Sequence, residues 1–346
     1  MVSESPRVVV LGAGAVGAYL GGALLSHGAA VTLVSRGRMH ARLAQEGLHL
    51  TSLAGEDQRV RPERLDCLHA DEVDAVDAAV SKAALLLVTV KAPGLAAVAQ
   101  RLAGRVPPGA LVCCLQNGVA PEQVVRAALP TARVVAGVVP FNVAVLPGGR
   151  LHRATSGELV VQASAEWAPW RRTFQSARLP LLEREDMRAV QWGKLLLNLN
   201  NAVNALSGLP LQAQLQRAEY RRVTAALVGE ALDVLRAAGV RPARVGRLPP
   251  ALLSPALRLP DAVFRRLAAS MLRVDPEARS SMWEDLEAGR ATEVDGLNGA
   301  VVDLAERVGA RAPLNRAMQQ LVHAVERGGP RAWTADALWS ALTRDS

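Results

Sequence analysis

A chain of 346 residues, half of them hydrophobic, is too long for one ordinary core, so two domains are expected. Its formal net charge of +8 comes from scattered arginines without interleaved aromatics, which argues against a nucleic-acid surface and for a small anionic ligand. Three cysteines, Cys67, Cys113 and Cys114, have neither the number for a disulfide framework nor the spacing of metal ligands, which excludes both and suits a reducing cytoplasm.

Residues 7–11 form a short apolar run that stops at Gly12, residues 15–25 have helical length, and residues 30–34 are again β-rich. Strand, glycine turn, helix and strand in that order is the pattern of a parallel β-α-β unit. The same glycines argue against reading residues 8–25 as a membrane span. Buried strands follow at 85–90, 110–115 and 133–139, with helices at 94–103 and 121–128, which predicts a doubly wound sheet. Cys113 and Cys114 fall in one of those strands and read as core. Pro147-Gly148-Gly149 signals a hairpin flanked by 142–146 and 151–154, and 159–163 reads as one more strand. Beyond about residue 185, Ala/Leu/Arg segments of helical spacing take over, at 188–206, 212–238, 260–272, 292–308 and 314–326. The Pro-rich stretch 247–260 reads as a loop. The expected fold class is α/β, with an N-terminal Rossmann-type domain over 1–184 and an all-helical C-terminal domain over 185–346.

Gly12-Ala13-Gly14-Ala15-Val16-Gly17 matches the G-x-G-x-x-G dinucleotide fingerprint and stands between a strand and a helix, the context that gives it meaning. Its free N–H groups and the helix dipole suit a pyrophosphate. An NAD site would be expected to carry an acidic residue at the end of the second strand. Here the residues are Val34-Ser35-Arg36-Gly37-Arg38. A hydroxyl and guanidinium groups welcome a 2′-phosphate, so NADPH is the expected cofactor. Arg36 and Arg38 also read as ordinary loop arginines in an Arg-rich chain.

Only three of the 40 basic residues are lysines: Lys82, Lys91 and Lys194. Proton transfer is one task for which Arg cannot replace Lys. Lys82 reads as a surface residue. Lys91 ends a strand, and Lys194 lies among apolar neighbours on the predicted helix 188–206. Asn198 and Asn201 share its face at i+4 and i+7. This polar stripe needs partners, which a bound oxo acid or loops of the other domain would supply equally well. The six histidines, His27, His40, His49, His69, His152 and His323, are scattered and read as pairing with no acidic motif. Metal catalysis has no support.

These motifs resemble the ketopantoate reductase (2-dehydropantoate 2-reductase) family over almost the whole length. The resemblance rests on Gly12–Gly17, Val88-Thr89-Val90-Lys91-Ala92, Gln116-Asn117-Gly118, Trp192-Gly193-Lys194-Leu195 with Asn198, Ser280-Ser281-Met282, Thr292-Glu293-Val294-Asp295 and Asn298-Gly299. It implies reduction of the ketone of 2-dehydropantoate with NADPH, on the route to pantothenate and coenzyme A. It places the catalytic lysine at Lys194 and a substrate amide at Asn198. It places Lys91 and Asn117 near cofactor and substrate, the substrate serine at Ser281, and a carboxylate near the nicotinamide ribose at Glu293. Glu293 also reads as a first-turn carboxylate, with Thr292 as N-cap and Asp295 completing a capping-box-like pattern.

Three departures stand out. The family's second helix asparagine is replaced by Ala202, an asparagine before the Ser-Ser-Met motif by Ala278, and residues 207–211 lack a further one. Asn201 or Asn204 stands near enough to substitute. The expected activity is NADPH-dependent reduction of a 2-oxo acid, 2-dehydropantoate foremost, in a cleft between the domains. The alternatives are a reductase of a different 2-oxo acid and a non-catalytic NADP-binding regulator, which would have no need of a proton donor. No membrane or nucleic-acid partner is expected, and a homodimer is admitted.

Overall fold

The structure, a computed structural model, describes residues 6–267 and 278–344. It divides into two compact units, Met1–Gln116 with Ala120–Met187, and Arg188–Ser346 with Asn117–Val119. The three residues that cross over carry the Asn-Gly pair singled out above.

The first unit contains, in chain order, β1 (Arg7–Leu11), α1 (Ala15–Ser26), β2 (Ala30–Ser35), α2 (Gly37–Glu46), β3 (Leu48–Ser52), β4 (Asp57–Val60), β5 (Asp66–His69) and α3 (Val73–Val80). It continues with β6 (Ala83–Val88), α4 (Ala92–Leu102), β7 (Leu111–Cys114), α5 (Pro121–Ala128), β8 (Arg133–Val138), β9 (Val143–Val145) and β10 (Leu151–Arg153). It closes with β11 (Leu159–Gln162), α6 (Arg171–Ser176) and β12 (Leu181–Arg184). Eight strands form one sheet in the order β12-β11-β8-β7-β6-β1-β2-β5. Every pairing in it is parallel except β11 with β8. Strands buried on both faces read as unbroken apolar runs, as β1 and β6 do.

The order reverses between β1 and β6. A crevice beyond the carboxyl ends of strands at such a switch point is where an open α/β sheet takes its ligand. A second sheet, β4-β3-β10-β9, is smaller. Its hairpin β9–β10 turns at Pro147-Gly148-Gly149 as expected, whereas β3 and β4 were not foreseen. Leu20 and Leu24 of α1 share one core with Leu33 of the large sheet and with Leu48 and Leu50 of the small one. That explains why α1 is apolar nearly all round. Cys113 and Cys114 are fully buried, and burial pushes both thiols up.

The second unit is helical among its described residues. It holds α7 (Met187–Asn198), α8 (Asn200–Ser207), α9 (Leu211–Leu215), α10 (Ala218–Ala237), α11 (Pro250–Leu257), α12 (Asp261–Leu267) and α13 (Ser281–Glu287). After a π-helical turn at Asp295–Gly299 come α14 (Ala300–Arg307), α15 (Pro313–Glu326) and α16 (Ala335–Thr343). Leu199, Val203, Val223, Leu227, Val301 and Val322 lie in its common core.

Two expectations need correction. The helix predicted over 188–206 is interrupted at Leu199, although that residue keeps helical dihedrals (φ −59°, ψ −23°) and its N–H reaches Leu195 O at 3.0 Å. The stretch 247–260 is not all loop, because Pro250 opens α11 at the first helical position, where a missing N–H costs nothing. The helix predicted over 260–272 begins as α12, and its part beyond Leu267 lies outside the described residues. Among the described residues no helix is long and apolar enough to cross a membrane.

Candidate active site

In the first unit the fingerprint glycines form the turn between β1 and α1. Gly12 has φ +91°, and a Cβ there would stand 2.6 Å from Val90. Only glycine accepts both conditions. The N–H groups of Gly12 and Ala13 both donate to Val34 O, at 3.0 and 2.8 Å. Thr89 Oγ1 donates to Gly12 O at 2.9 Å and packs against Gly17, where a Cβ would collide with it. A Cβ at Gly14, by contrast, would meet nothing nearer than Gly12 O at 3.9 Å. The N–H groups of Ala15, Val16 and Gly17 open α1 without an acceptor among the described residues. Unpaired donors at the positive end of a helix dipole form an anion cradle. Lys91 is exposed and caps α4 two residues after Thr89.

Arg36 and Arg38 are exposed just past β2, and neither forms an ion pair among the described residues. Ser35 does not present its hydroxyl beside them. It is 3% exposed, and its Oγ lies 3.2 Å from His40 Nδ1 and 3.5 Å from Cys67 Sγ. Strand alternation turns it toward the face that α2 covers. Any welcome for a 2′-phosphate therefore falls to the guanidinium groups.

The second unit gathers four of the predicted residues. Asn117 Nδ2 donates to Glu293 Oε2 at 2.9 Å, and Asn198 Nδ2 donates to Asn117 Oδ1 at 3.4 Å. Gly118 (φ +97°) lets this segment press on the turn after Glu293, since a Cβ would lie 2.9 Å from Gly296 O. Lys194 is partly buried on α7, one turn before Asn198. Burial pushes its pKa down from 10.5 to about 8, against an opposing pull from the Glu293 carboxylate. An ammonium with that value yields and regains a proton near neutral pH.

The other helix residues separate cleanly. Asn204 is fully buried and spent on structure: its Nδ2 donates to Leu209 O at 3.0 Å and its Oδ1 accepts from Ser280 N at 2.9 Å. Asn201 is half-buried, and its side chain has no hydrogen-bond partner among the described residues. Ser280 caps α13 by accepting from Trp283 N at 3.2 Å and donates to Asn201 O at 3.1 Å. That leaves Ser281 exposed on the first turn. Ala202 is fully buried in the apolar core. Ala278 is half-buried, and its carbonyl accepts from Leu211 N at 2.8 Å.

The capping box expected at Thr292 does not form. Thr292 Oγ1 accepts from Val294 N at 3.2 Å, whereas the Thr292 N–H donates to Glu326 Oε1 at 2.7 Å. Asp295 instead accepts from Gln319 Nε2 at 2.6 Å and faces His323.

The family described as ketopantoate reductase PanE/ApbA matches residues 8–166, and its C-terminal part matches residues 186–326. The chain belongs to the ketopantoate reductase family. A 2-dehydropantoate 2-reductase of Halobacterium salinarum is 28% identical over 330 residues, 93% of this chain and 100% of its own length. The crystal structure of a PanE/ApbA family ketopantoate reductase from Ralstonia eutropha JMP134 is 28% identical with a TM-score of 0.75, covering 93% of this chain and 99% of that one. The ternary structure of D-mandelate dehydrogenase with NADH and anilino(oxo)acetate shares the fold, with a TM-score of 0.73 at 19% identity over 93% of this chain and 98% of that one.

As a ketopantoate reductase family member, the chain is an oxidoreductase. Three of its supports escaped sequence reasoning. Thr89 locks the glycine turn, and Gln116 Nε2 ties the ends of β6 and β7 by donating to Val88 O at 2.9 Å and Val90 O at 3.1 Å. Contrary to expectation, histidines do pair with acidic groups: His49 Nε2 lies 2.8 Å from Asp57 Oδ1, and His323 lies 2.7 Å from both Asp295 Oδ1 and Glu326 Oε2. The Glu326 partner, three residues on along one helix, was visible in the spacing.

Proposed function

We propose that this chain reduces a 2-oxo acid with NADPH, 2-dehydropantoate to pantoate foremost, with Lys194 as the general acid. The observation that carries the reading is Lys194 itself, desolvated to a pKa of about 8 beside Glu293 and one turn from Asn198. A general acid works best with a pKa near the operating pH.

The glycine turn suits a dinucleotide, because Gly14 leaves room for a pyrophosphate and three N–H groups at the start of α1 have no acceptor among the described residues. Arg36 and Arg38, with no acid beside them at the end of β2, favour NADPH over NADH. A bound NADPH would supply the hydride for the keto carbon and leave as NADP⁺. Lys194 polarises the carbonyl, and as the C=O electron pair moves onto oxygen it gives that oxygen a proton, then regains one from solvent. Asn198 and the Asn201 amide, which has no partner among the described residues, orient the carboxylate and carbonyl. Glu293 fixes Asn117 and favours the charged form of Lys194.

A second reading is a different, less polar 2-oxo acid on the same apparatus. It is favoured by Asn204 being spent on structure and by Ala202 lying in the core, which leaves Asn198 and Asn201 as the amides of this helix face. NADPH consumption against a panel of 2-oxo acids that includes 2-dehydropantoate decides between them. Turnover of none would refute the proposed function.

A further inference from the structure

Glu293 is bracketed by two residues that α15 holds, Thr292 through its backbone and Asp295 through its carboxylate. On one side, the Thr292 N–H donates to Glu326 Oε1 at 2.7 Å. On the other, Asp295 opens the π-helical turn Asp295–Gly299, and its carboxylate receives Gln319 Nε2 at 2.6 Å. The turn is pinned further along, where Asn298 Nδ2 donates to Asn315 Oδ1 at 3.0 Å, with both residues fully buried. π turns inside helical runs are frequent at functional sites. Here it directly follows the carboxylate that holds Asn117.

One side chain joins the two brackets. His323 places Nδ1 2.7 Å from Glu326 Oε2 and Nε2 2.7 Å from Asp295 Oδ1. Ionised carboxylates only accept, so both ring nitrogens must carry a proton for both contacts to be hydrogen bonds. Among the described residues, the charged groups facing the ring are Asp295 from the π turn and Glu326 from its own helix.

We propose that His323 is a positioning residue for Glu293, bridging as an imidazolium the two carboxylates that bracket it. The proposal rests on the reading of Lys194 and Glu293 as parts of a reducing site. Burial works to lower the His323 pKa, but the hydrogen bonds to Glu326 and Asp295 overcome it, so the ring titrates above the ordinary histidine value of 6.5. The bridge is complete below that raised value. As pH rises through it, one nitrogen loses its proton and presents a lone pair to a carboxylate. The bracket then opens on one side, and Glu293 and Asn117 lose their fixed placement.

His323→Gln keeps one donor and cannot bridge, whereas His323→Lys keeps a charge across the range. The expected results at neutral pH are a fall in kcat/KM for the 2-oxo acid of about tenfold in His323→Gln and retention within about threefold in His323→Lys. The alkaline limb should contain two ionisations in the wild type and only that of Lys194 in His323→Lys. Histidine NMR titration of the whole chain, with His323 assigned by its loss in His323→Lys, should place its pKa above the ordinary value. This readout stands even if His323→Gln does not fold. An active wild type whose pH profile superposes on that of His323→Lys, a folded His323→Gln with wild-type kcat/KM, or a His323 pKa at or below the ordinary value each overturns the bridge. A wild type that turns over no 2-oxo acid overturns the proposed function itself, and this inference with it.

Discussion

Replacing Lys194 by Met should make the protein more stable and nearly inactive, and the stability gain should vanish at high pH. An ordinary lysine titrates at 10.5, and burial brings Lys194 to about 8 despite the pull of Glu293. The folded pKa lies below the unfolded one, so the charged ammonium disfavours folding. The cost is full below about pH 8, fades between there and 10.5, and is absent above. A difference of that size corresponds to at most about 3 kcal/mol. Partial solvent access and the cation lost beside Glu293 reduce it further. Methionine fills the space without a charge, so Lys194→Met should raise the melting temperature at pH 7 by up to roughly 6–12 °C for a domain of this size. The difference should narrow steadily between pH 8 and 10.5. Turnover should drop about 10²- to 10⁴-fold with little change in NADPH affinity, because a general acid is lost and no cofactor anchor. Calorimetry across pH together with steady-state kinetics tests both halves. A variant that melts lower than wild type at pH 7 would show that the ammonium is not held at a cost, and unchanged turnover would remove Lys194 as proton donor.

Arg36→Ala should weaken NADPH binding about tenfold to a hundredfold and leave NADH nearly unaffected, as measured by fluorescence titration, because a charge-assisted phosphate contact contributes about 1.5–3 kcal/mol. Equal effects on the two cofactors would remove Arg36 from the phosphate site. Asn201→Ala should raise KM for the oxo acid by about tenfold with a normal melting temperature, whereas Asn204→Ala, which leaves Leu209 O and Ser280 N without partners, should cost about 1–3 kcal/mol of stability. The opposite pattern would exchange their roles. Ala202→Asn should lower the melting temperature and leave substrate affinity unimproved, since its amide would enter an apolar core without a partner. Tighter oxo-acid binding in that variant would show that position 202 faces the substrate after all.

Much of the first unit was legible because its signals are local. Apolar runs separated by glycine and helix-length segments placed β1, α1, β2, β6, β7 and β8 within a few residues of where they stand. What escaped was set by partners rather than by pattern. The strand β3 reads Leu-His-Leu-Thr-Ser and β4 reads Asp-Gln-Arg-Val, too polar and short to stand out. They become strands because β3 pairs with β10, about a hundred residues away in sequence, and because their apolar side chains close over α1. The prolines at 249, 250 and 255 suggested a loop, yet proline at a helix start is permitted, and α11 packs against α10 through Leu253 and the Ser254 hydroxyl, which donates to Ala225 O at 2.8 Å.

The candidate site's side chains divide along the same line. Helical spacing put Lys194, Asn198 and Asn201 on one face, but spacing cannot tell a free amide from one already bonded. Asn201 and Asn204 are the same residue three positions apart, and only Leu209 and Ser280 distinguish them. Composition said more than spacing did. In a chain where 37 of 40 basic residues are arginine, a lysine among apolar neighbours stands out. Lys82 and Lys91 are exposed, whereas Lys194 is partly buried, and burial brings its titration down to about 8. Arginine at 194 would hold a permanent charge against the same desolvation and release no proton to a developing alkoxide. Under the proposed function, the choice of residue, the burial that lowers its pKa and the carboxylate that favours its charged form are parts of a single requirement. A group must be charged when the oxo acid arrives and must be able to give up its proton when the hydride does.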